Sequence, residues 1–256
     1  MSNRTFVYHR DLLLVLIAKN FKVRYKSTFL GYVWSALHPL AFAAVFYVLF
    51  KVVVRIPMEN YALFLMAGLF PWQWFGNSVT AASSYFLSNS TLIRKVMFPR
   101  YFLVAAAVLG DLVHFVITIP ILVLFMLGHH KYPSVLWLAG VPLLVAGQFL
   151  LTYGVATAVA TCNLFFRDLE RLTSIAVMLW FYLTPVVFSP DMVPAAWQWL
   201  LYLNPMAMFI VCWRSLLLEG AMPWAPFAAA MGYGLAACWL GQRVYRALEW
   251  RFAEIV

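Results

Sequence analysis

The sequence predicts an all-α integral membrane protein with six transmembrane helices. Hydrophobic residues make up 65% of the 256 residues and charged residues 11%, whereas a soluble domain has roughly 45–50% and about 25%. Several stretches run for 19 or more residues without an Asp, Glu, Lys or Arg, which is long enough for a helix to cross a bilayer core of roughly 30 Å. The uneven distribution of basic residues between these stretches then gives their orientation.

The N-terminal segment 11–26 predicts an amphipathic helix at the membrane interface. Leu14 and Phe21 fall on one helical face, whereas Lys19 and Lys22 fall on another. A helix with this many charges does not cross a bilayer, but a basic amphipathic helix binds well at the membrane surface. The alternative interpretation is a charged lead-in to the first span.

Six apolar stretches, separated by charged or turn-forming residues, are the predicted spans of a single domain. The third of them contains Asp111, the only acidic residue deep within a span. We assign the domain to residues 1–256 and the spans to residues 30–50, 61–87, 101–127, 134–164, 172–188 and 221–242.

The region 189–219, between the fifth and sixth spans, predicts a re-entrant hairpin on the outer side of the membrane. Residues 195–213 lack charge and are long enough to cross, but Pro194, Asn204 and Pro205 suit a broken element better. Six spans with a cytoplasmic N-terminus place 14 of the 18 basic residues in the cytoplasm. A seventh span would lower that number to 12, so the charge distribution favours six.

The composition argues against several other classes of protein. No Gly-Lys dipeptide occurs, so the chain has no phosphate-binding P-loop and no ATP site of that kind. Three widely spaced cysteines in apolar surroundings match neither a metal site nor a disulfide framework. The net charge of +9 is read as a topology signal and an attraction to anionic lipid, not as a nucleic-acid surface.

Aromatic residues at mid-membrane depth predict a lined translocation path. The second predicted span carries an aromatic cluster about 16 Å from its start, on a helical rise of about 1.5 Å per residue, and the fifth carries one at a similar depth. Tryptophan beside amides and hydroxyls at this depth suits a polar path whose rings stack on sugars. Packing between helices is the alternative. The candidates are Trp72, Trp74, Phe75, Asn77, Trp180, Phe181 and Tyr182.

Asp111 is a further candidate for the path, because an ionisable group within a span is costly and often functional. His114 lies three residues later on the same helical face and is a possible partner. The alternative role for Asp111 is an interhelical hydrogen bond that holds the bundle together.

The charged turn Arg167-Asp168-Leu169-Glu170-Arg171 joins the fourth and fifth predicted spans. A compact, charged turn can dock on a cytosolic partner through charge-assisted hydrogen bonds. Composition alone fits a solvated connector equally well.

Four segments in order resemble the ABC-2 type permeases that export O-antigen, capsule and teichoic acid polymers. The similarity extends over nearly the whole chain, and the NLFFRD sequence is most similar to the O-antigen branch. The segments are RYKSTFLGYVWSALHPL (24–40), GLFPWQWFGNSV with NSTLIRKVMFPR (68–100), CNLFFRDLERL (162–172) and LNPMAMFIVCWRSLL (203–217).

The resemblance implies a homodimer in the bacterial inner membrane, with both termini in the cytoplasm and two copies of a separate cytosolic ATPase that binds ATP and Mg²⁺. The path between the two copies would also involve Trp34 and His38 of the first span and would carry a lipid-diphosphate-linked polysaccharide. The implied ATPase-coupling residues are Lys22, Arg94, Lys95, Phe98, Pro99, Arg100, Phe166, Arg167, Asp168, Glu170 and Arg171. The implied periplasmic gate residues are Trp197, Trp199, Asn204, Pro205 and Arg214.

Three alternatives remain open on the sequence. The first is a capsule or teichoic acid permease, and the second is an ABC-2 exporter of a small drug or lipid. The third is a membrane transferase acting on a lipid-linked sugar, which needs a catalytic acid or base at a membrane face. Asp111 lies too deep for that role, so the sequence favours a permease that is not itself an enzyme.

Overall fold

The fold is helical almost throughout. The computed structural model describes residues 3–25, 33–55, 58, 60–96 and 98–252, and these include no β-strand. The predicted start of the first span, residues 30–32, lies outside the described residues.

Eleven α-helices are described, with short π and 3₁₀ turns at several of their ends. The π turns follow α2 and α10. The α-helices are α1 (Asn3–Tyr25), α2 (Trp34–Tyr47), α3 (Tyr61–Ala82), α4 (Tyr85–Ser88), α5 (Ser90–Lys95), α6 (Tyr101–Gly128), α7 (Trp137–Phe165), α8 (Leu169–Leu183), α9 (Trp199–Leu203), α10 (Pro205–Arg214) and α11 (Trp224–Leu248).

Two of the described helices, α6 and α7, are each long and apolar enough to cross a membrane. A third candidate is a broken element, in which Ala195–Leu203 and Pro205–Glu219 meet at 99°. A shorter apolar helix, Leu37–Val53, combines α2 with the π turn that follows it.

Helix α3 is the centre of the bundle. Most of its side chains are buried, and it packs against α2, α6, α7, α8 and α10. The predicted second span continued to residue 87, but α3 ends at Ala82. The hydroxyl groups of Ser83 and Ser84 donate to the carbonyl oxygens of Thr80 and Ala81, both at 3.0 Å, and such local bonds compete with helix continuation.

Helix α1 packs along α6 in the same direction. The ring of His9 lies 5.0 Å from that of Phe102, and the ring of Phe21 lies 5.1 Å from that of His114. The separation is 12 residues on both helices, so the two contacts keep the helices side by side. Leu14, on the predicted apolar face, is exposed on the surface of the protein, and α6 packs against a neighbouring face of α1.

Helices α7 and α11 approach at backbone contact through glycine. A Cβ atom on Gly241 would lie 2.2 Å from the carbonyl oxygen of Gly154, and one on Gly234 would lie 2.6 Å from that of Gly147. The seven-residue spacing on both helices repeats the contact two turns later. Small residues that let helix backbones meet are typical of packing within membranes.

Helix α8 begins earlier and ends earlier than the predicted fifth span of residues 172–188. It starts at Leu169, so Glu170 and Arg171 form its first turn and do not belong to a loop. After Leu183 the chain leaves the helix, and Thr184 to Val187 form a buried turn. Pro185 contributes to this ending, because the residue before a proline is disfavoured in the helical region.

Candidate functional site

A groove of about 770 Å³ opens between α2, α3, α6 and α8. Aromatic rings form much of its wall, and amide and hydroxyl groups lie between them. The structure brings all but two of the predicted path residues to this groove. They are Trp34, His38, Trp72, Trp74, Asn77, Asp111, Phe181 and Tyr182.

The two remaining path residues, Phe75 and Trp180, lie behind the wall. Phe75 is fully buried, and its ring meets that of Trp180 edge-on at 5.1 Å. The indole of Trp180 also lies 6.5 Å from that of Trp72, which lines the groove. Phe75 and Trp180 therefore pack behind Trp72 and support its position in the groove wall.

The two tryptophans that α3 contributes to the wall are packed into the bundle. Trp72 is 5% exposed and Trp74 is 2% exposed. The indole nitrogen of Trp74 donates to the carbonyl oxygen of Val108 at 3.2 Å, and its ring stacks on Phe115 at 5.5 Å. Packing and path lining were alternatives for these residues on the sequence, and the geometry allows both at once.

An aromatic ladder on α2 and on the π turn that follows it was not predicted from the sequence. The rings of His38, Phe42, Phe46 and Phe50 follow one another at 5.0, 6.3 and 6.1 Å, and the first three line the groove. Phe46 also reaches across to Phe181 of α8 at 5.5 Å. The signal was present as an aromatic side chain at every fourth position, which places all four rings on one helical face.

Asp111 joins α6 to α3 at the groove. It is 3% exposed, and the hydroxyl of Ser78 donates to its Oδ2 atom at 2.8 Å. His114, its predicted partner, also lines the groove. The interhelical hydrogen bond proposed as the structural role of Asp111 is present, and its carboxylate lies on the wall of the groove as well.

Asn204 organises the bend between α9 and α10. Its Oδ1 atom accepts from the backbone nitrogens of Met206 and Ala207 and caps α10. The same oxygen accepts from the indole nitrogen of Trp180 at 2.8 Å. Its Nδ2 atom donates to Thr184 Oγ1 at 2.9 Å and to the carbonyl oxygen of Leu183 at 3.2 Å.

Arg214 is buried and fastens the turn after α8 to α3. Its guanidinium donates to the carbonyl oxygens of Phe64 at 3.2 Å, Pro185 at 2.5 Å, and Val186. It also lies 3.5 Å above the ring of Phe64, and the space it fills depends on Gly68, whose Cβ would lie 2.7 Å from Nη2. Oriented carbonyl dipoles thus stabilise the charge in this apolar surrounding.

The other predicted gate residues differ from Arg214 in exposure. Trp197 and Trp199 are 58% and 55% exposed, and Pro205 begins α10, where its missing N–H leaves no helical bond unmade. The predicted gate residues therefore differ in their surroundings: Arg214 is buried, Asn204 and Pro205 form the start of α10, and the two tryptophans are exposed.

The predicted coupling residues other than Lys22 lie at one end of the bundle, whereas Lys22 follows Phe21, which contacts His114 in the middle of α6. The side-chain nitrogen of Asn163 donates to the carbonyl oxygen of Ser83 at 2.8 Å, which joins the end of α7 to the end of α3. Lys19 of α1 bonds Asn89 of the following segment. The exposed members of the set are Lys22, Arg94, Lys95, Phe166, Arg167, Asp168, Glu170 and Arg171.

Phe98, Pro99 and Arg100 are half-buried, and Arg100 contacts the C-terminal segment. Its guanidinium lies 5.6 Å from the ring of Phe252 and donates to the carbonyl oxygen of Glu249 at 3.5 Å. Phe252 is fully buried. Arg100 thus contributes to contacts within the chain, whereas Arg94 and Lys95 are exposed.

Comparison with known proteins identifies relatives along nearly the whole chain. Residues 11–218 match the family model described as "ABC-2 type transporter". The chain is 41% identical over 249 residues to the "O-antigen export system permease protein RfbA" of Klebsiella pneumoniae, covering 97% of this chain and 96% of that protein. It is 30% identical over 257 residues to the protein of the same name from Myxococcus xanthus, covering 99% and 98%.

Proposed function

Because this chain belongs to the ABC-2 type transporter family, we propose that it is the permease subunit of an exporter for O-antigen, a lipid-linked polysaccharide. The observation that carries this proposal is its near full-length identity to permeases named for O-antigen export. The groove supports it, because packed aromatic rings with amide and hydroxyl groups between them suit the apolar faces and hydroxyl edges of sugars.

The proposed topology has six spans, a periplasmic re-entrant element at 189–219 and both termini in the cytoplasm of a bacterium. The length and hydropathy of α6 and α7 support two of the spans, and the 99° break supports an element that turns back. The concentration of basic residues at the predicted cytoplasmic segments supports the orientation in the inner membrane.

The proposed assembly is a homodimer with two copies of a cytosolic ATPase, and ATP and Mg²⁺ bind to the ATPase. The exposed charged residues at the ends of α5 and α7 support this arrangement, since they lie at one end of the bundle and offer charge-assisted contacts to a partner. Energy for export then comes from ATP hydrolysis by the partner, and the permease contributes the path.

Deletion of the gene tests the proposed function in the native bacterium. We expect surface O-antigen to be lost and lipid-linked polymer to accumulate in the cytoplasm, and the chain supplied in trans should restore both. The control is a deletion of the ATPase subunit, which should give the same two changes. An unaltered surface polymer in the permease deletion strain would refute the proposal.

A further inference from the structure

The polar groups of the groove are mainly uncharged. The amides and hydroxyls that line it belong to Gln73, Asn77, Thr80, Thr118, Ser174 and Tyr182. Of these, Asn77, Ser174 and Tyr182 are exposed, Tyr182 by 61%. Such groups donate and accept hydrogen bonds with sugar hydroxyls and carry no charge of their own.

Among the lining residues that the structure describes, none is a lysine or an arginine. The one carboxylate among them is that of Asp111, and His38 and His114 are the two imidazoles. A second copy of the chain would bring the same set of side chains to a path between the two copies.

An anion in such a groove would lack a compensating cation. Moving a carboxylate or phosphate from water to a wall of aromatic rings costs free energy unless a paired charge or several donors replace the water. A neutral sugar escapes this cost, because its hydroxyls find amide and hydroxyl partners and its C–H faces pack on the rings.

We infer that the groove selects polysaccharides with uncharged repeat units over those with a carboxylate or phosphate in every repeat. This inference rests on the proposed function and adds the substrate class to it. The diphosphate of a lipid anchor passes once per polymer, whereas a charged repeat places an anion against the wall at each step. Selection therefore acts on the repeat unit.

Transport in proteoliposomes tests the inference. The chain is reconstituted with its ATPase subunit, and two lipid-linked oligosaccharides of equal length are supplied, one of neutral hexoses and one with a uronic acid in every repeat. The assay runs at pH 8 for both compounds. We expect ATP-dependent transfer of the neutral compound to be faster than that of the uronic-acid compound by about tenfold or more. A cation introduced into the path should reduce this difference, because it would pair with the carboxylates.

Asn77→Lys places a cation on the groove wall and should raise the charged-to-neutral rate ratio severalfold. Asn77→Gln keeps an uncharged amide at the same position and should leave that ratio as in the wild type. Ser174→Lys, on the part of the wall formed by α8, is the second variant if Asn77→Lys does not insert. A change in ratio assigns the discrimination to the permease, because the ATPase subunit is the same in all reactions.

Equal rates for the two compounds in the wild type would overturn the inference and leave the proposed function standing. An unchanged ratio in both lysine variants would also overturn it. Transfer of neither compound would contradict the proposed function itself, and the inference with it.

Discussion

At the scale of single residues, Arg214 shows how a charge is held inside an apolar bundle. Its guanidinium meets several carbonyl oxygens and the face of the Phe64 ring. A lysine has one ammonium group and cannot donate in the same planar, multi-directional pattern. We expect Arg214→Lys to lower the free energy of unfolding by about 2–4 kcal/mol.

Thermal unfolding of the purified protein in detergent measures this effect. Arg246→Lys is the matched control, since Arg246 is exposed on α11 and the same substitution there should leave the unfolding midpoint unchanged. Equal midpoints for the two variants would show that the carbonyl cluster does not depend on the guanidinium.

At the scale of helices, the contact between α7 and α11 depends on glycine. Gly241→Ala would place a methyl group 2.2 Å from the carbonyl oxygen of Gly154, so the helices must separate. We expect a destabilisation of about 1–3 kcal/mol, as for other overpacked sites. Gly232→Ala, on the same helix with open space around its Cβ position, should be neutral or stabilising by up to about 1 kcal/mol.

The midpoint of thermal unfolding distinguishes the two alanine variants, and the expected order is Gly232→Ala above wild type or equal to it, and Gly241→Ala below. The reverse order would contradict the close approach of α7 and α11.

The side chain of Asn204 forms a junction between the end of α8 and the start of α10. Asn204→Asp keeps the Oδ1 acceptor for the α10 backbone nitrogens and for the Trp180 indole, but it loses the donor to Thr184. Asn204→Ala loses all of these bonds. We therefore expect export to fall in the order wild type, Asn204→Asp, Asn204→Ala.

Surface polymer in cells carrying each variant measures export, and the amount of inserted protein is matched by immunoblot. Trp180→Phe keeps an aromatic ring but removes the indole donor to Asn204. It should therefore lower export by as much as the loss of that one hydrogen bond does. Full export by Asn204→Ala would show that the junction does not contribute to the proposed path.

At the scale of the whole molecule, transport requires that events at the ATPase reach the groove. Arg167 and Asp168 are exposed between α7 and α8, and α8 also forms one wall of the groove. We expect Arg167→Ala and Asp168→Ala to reduce export while the chain still inserts and the ATPase still hydrolyses ATP. The control is Thr91→Ala, at an exposed position on α5, which should leave export unchanged. Normal export by both Arg167→Ala and Asp168→Ala would show that the turn between α7 and α8 only connects the two helices.

Hydropathy predicted helices such as α7 well, because an apolar stretch without charged residues favours a non-aqueous surrounding. It did not predict which faces meet protein and which meet lipid, since both surroundings are apolar. The orientation of α1 and the position of Trp180 behind the groove depend on helix packing, which single-residue hydropathy does not contain. The partners of Arg214 were also hidden, because they are backbone carbonyls from segments distant in the sequence.

Photo-crosslinking during export can detect whether polysaccharide passes along the groove, as we propose. A photoreactive amino acid replaces Asn77 in the groove, and in a second protein it replaces Leu124, which is 68% exposed on α6 and absent from the groove lining. We expect an ATP-dependent crosslink to polysaccharide at position 77 and none at position 124. A crosslink at position 124 alone, or at neither position in cells that export polymer, would contradict it.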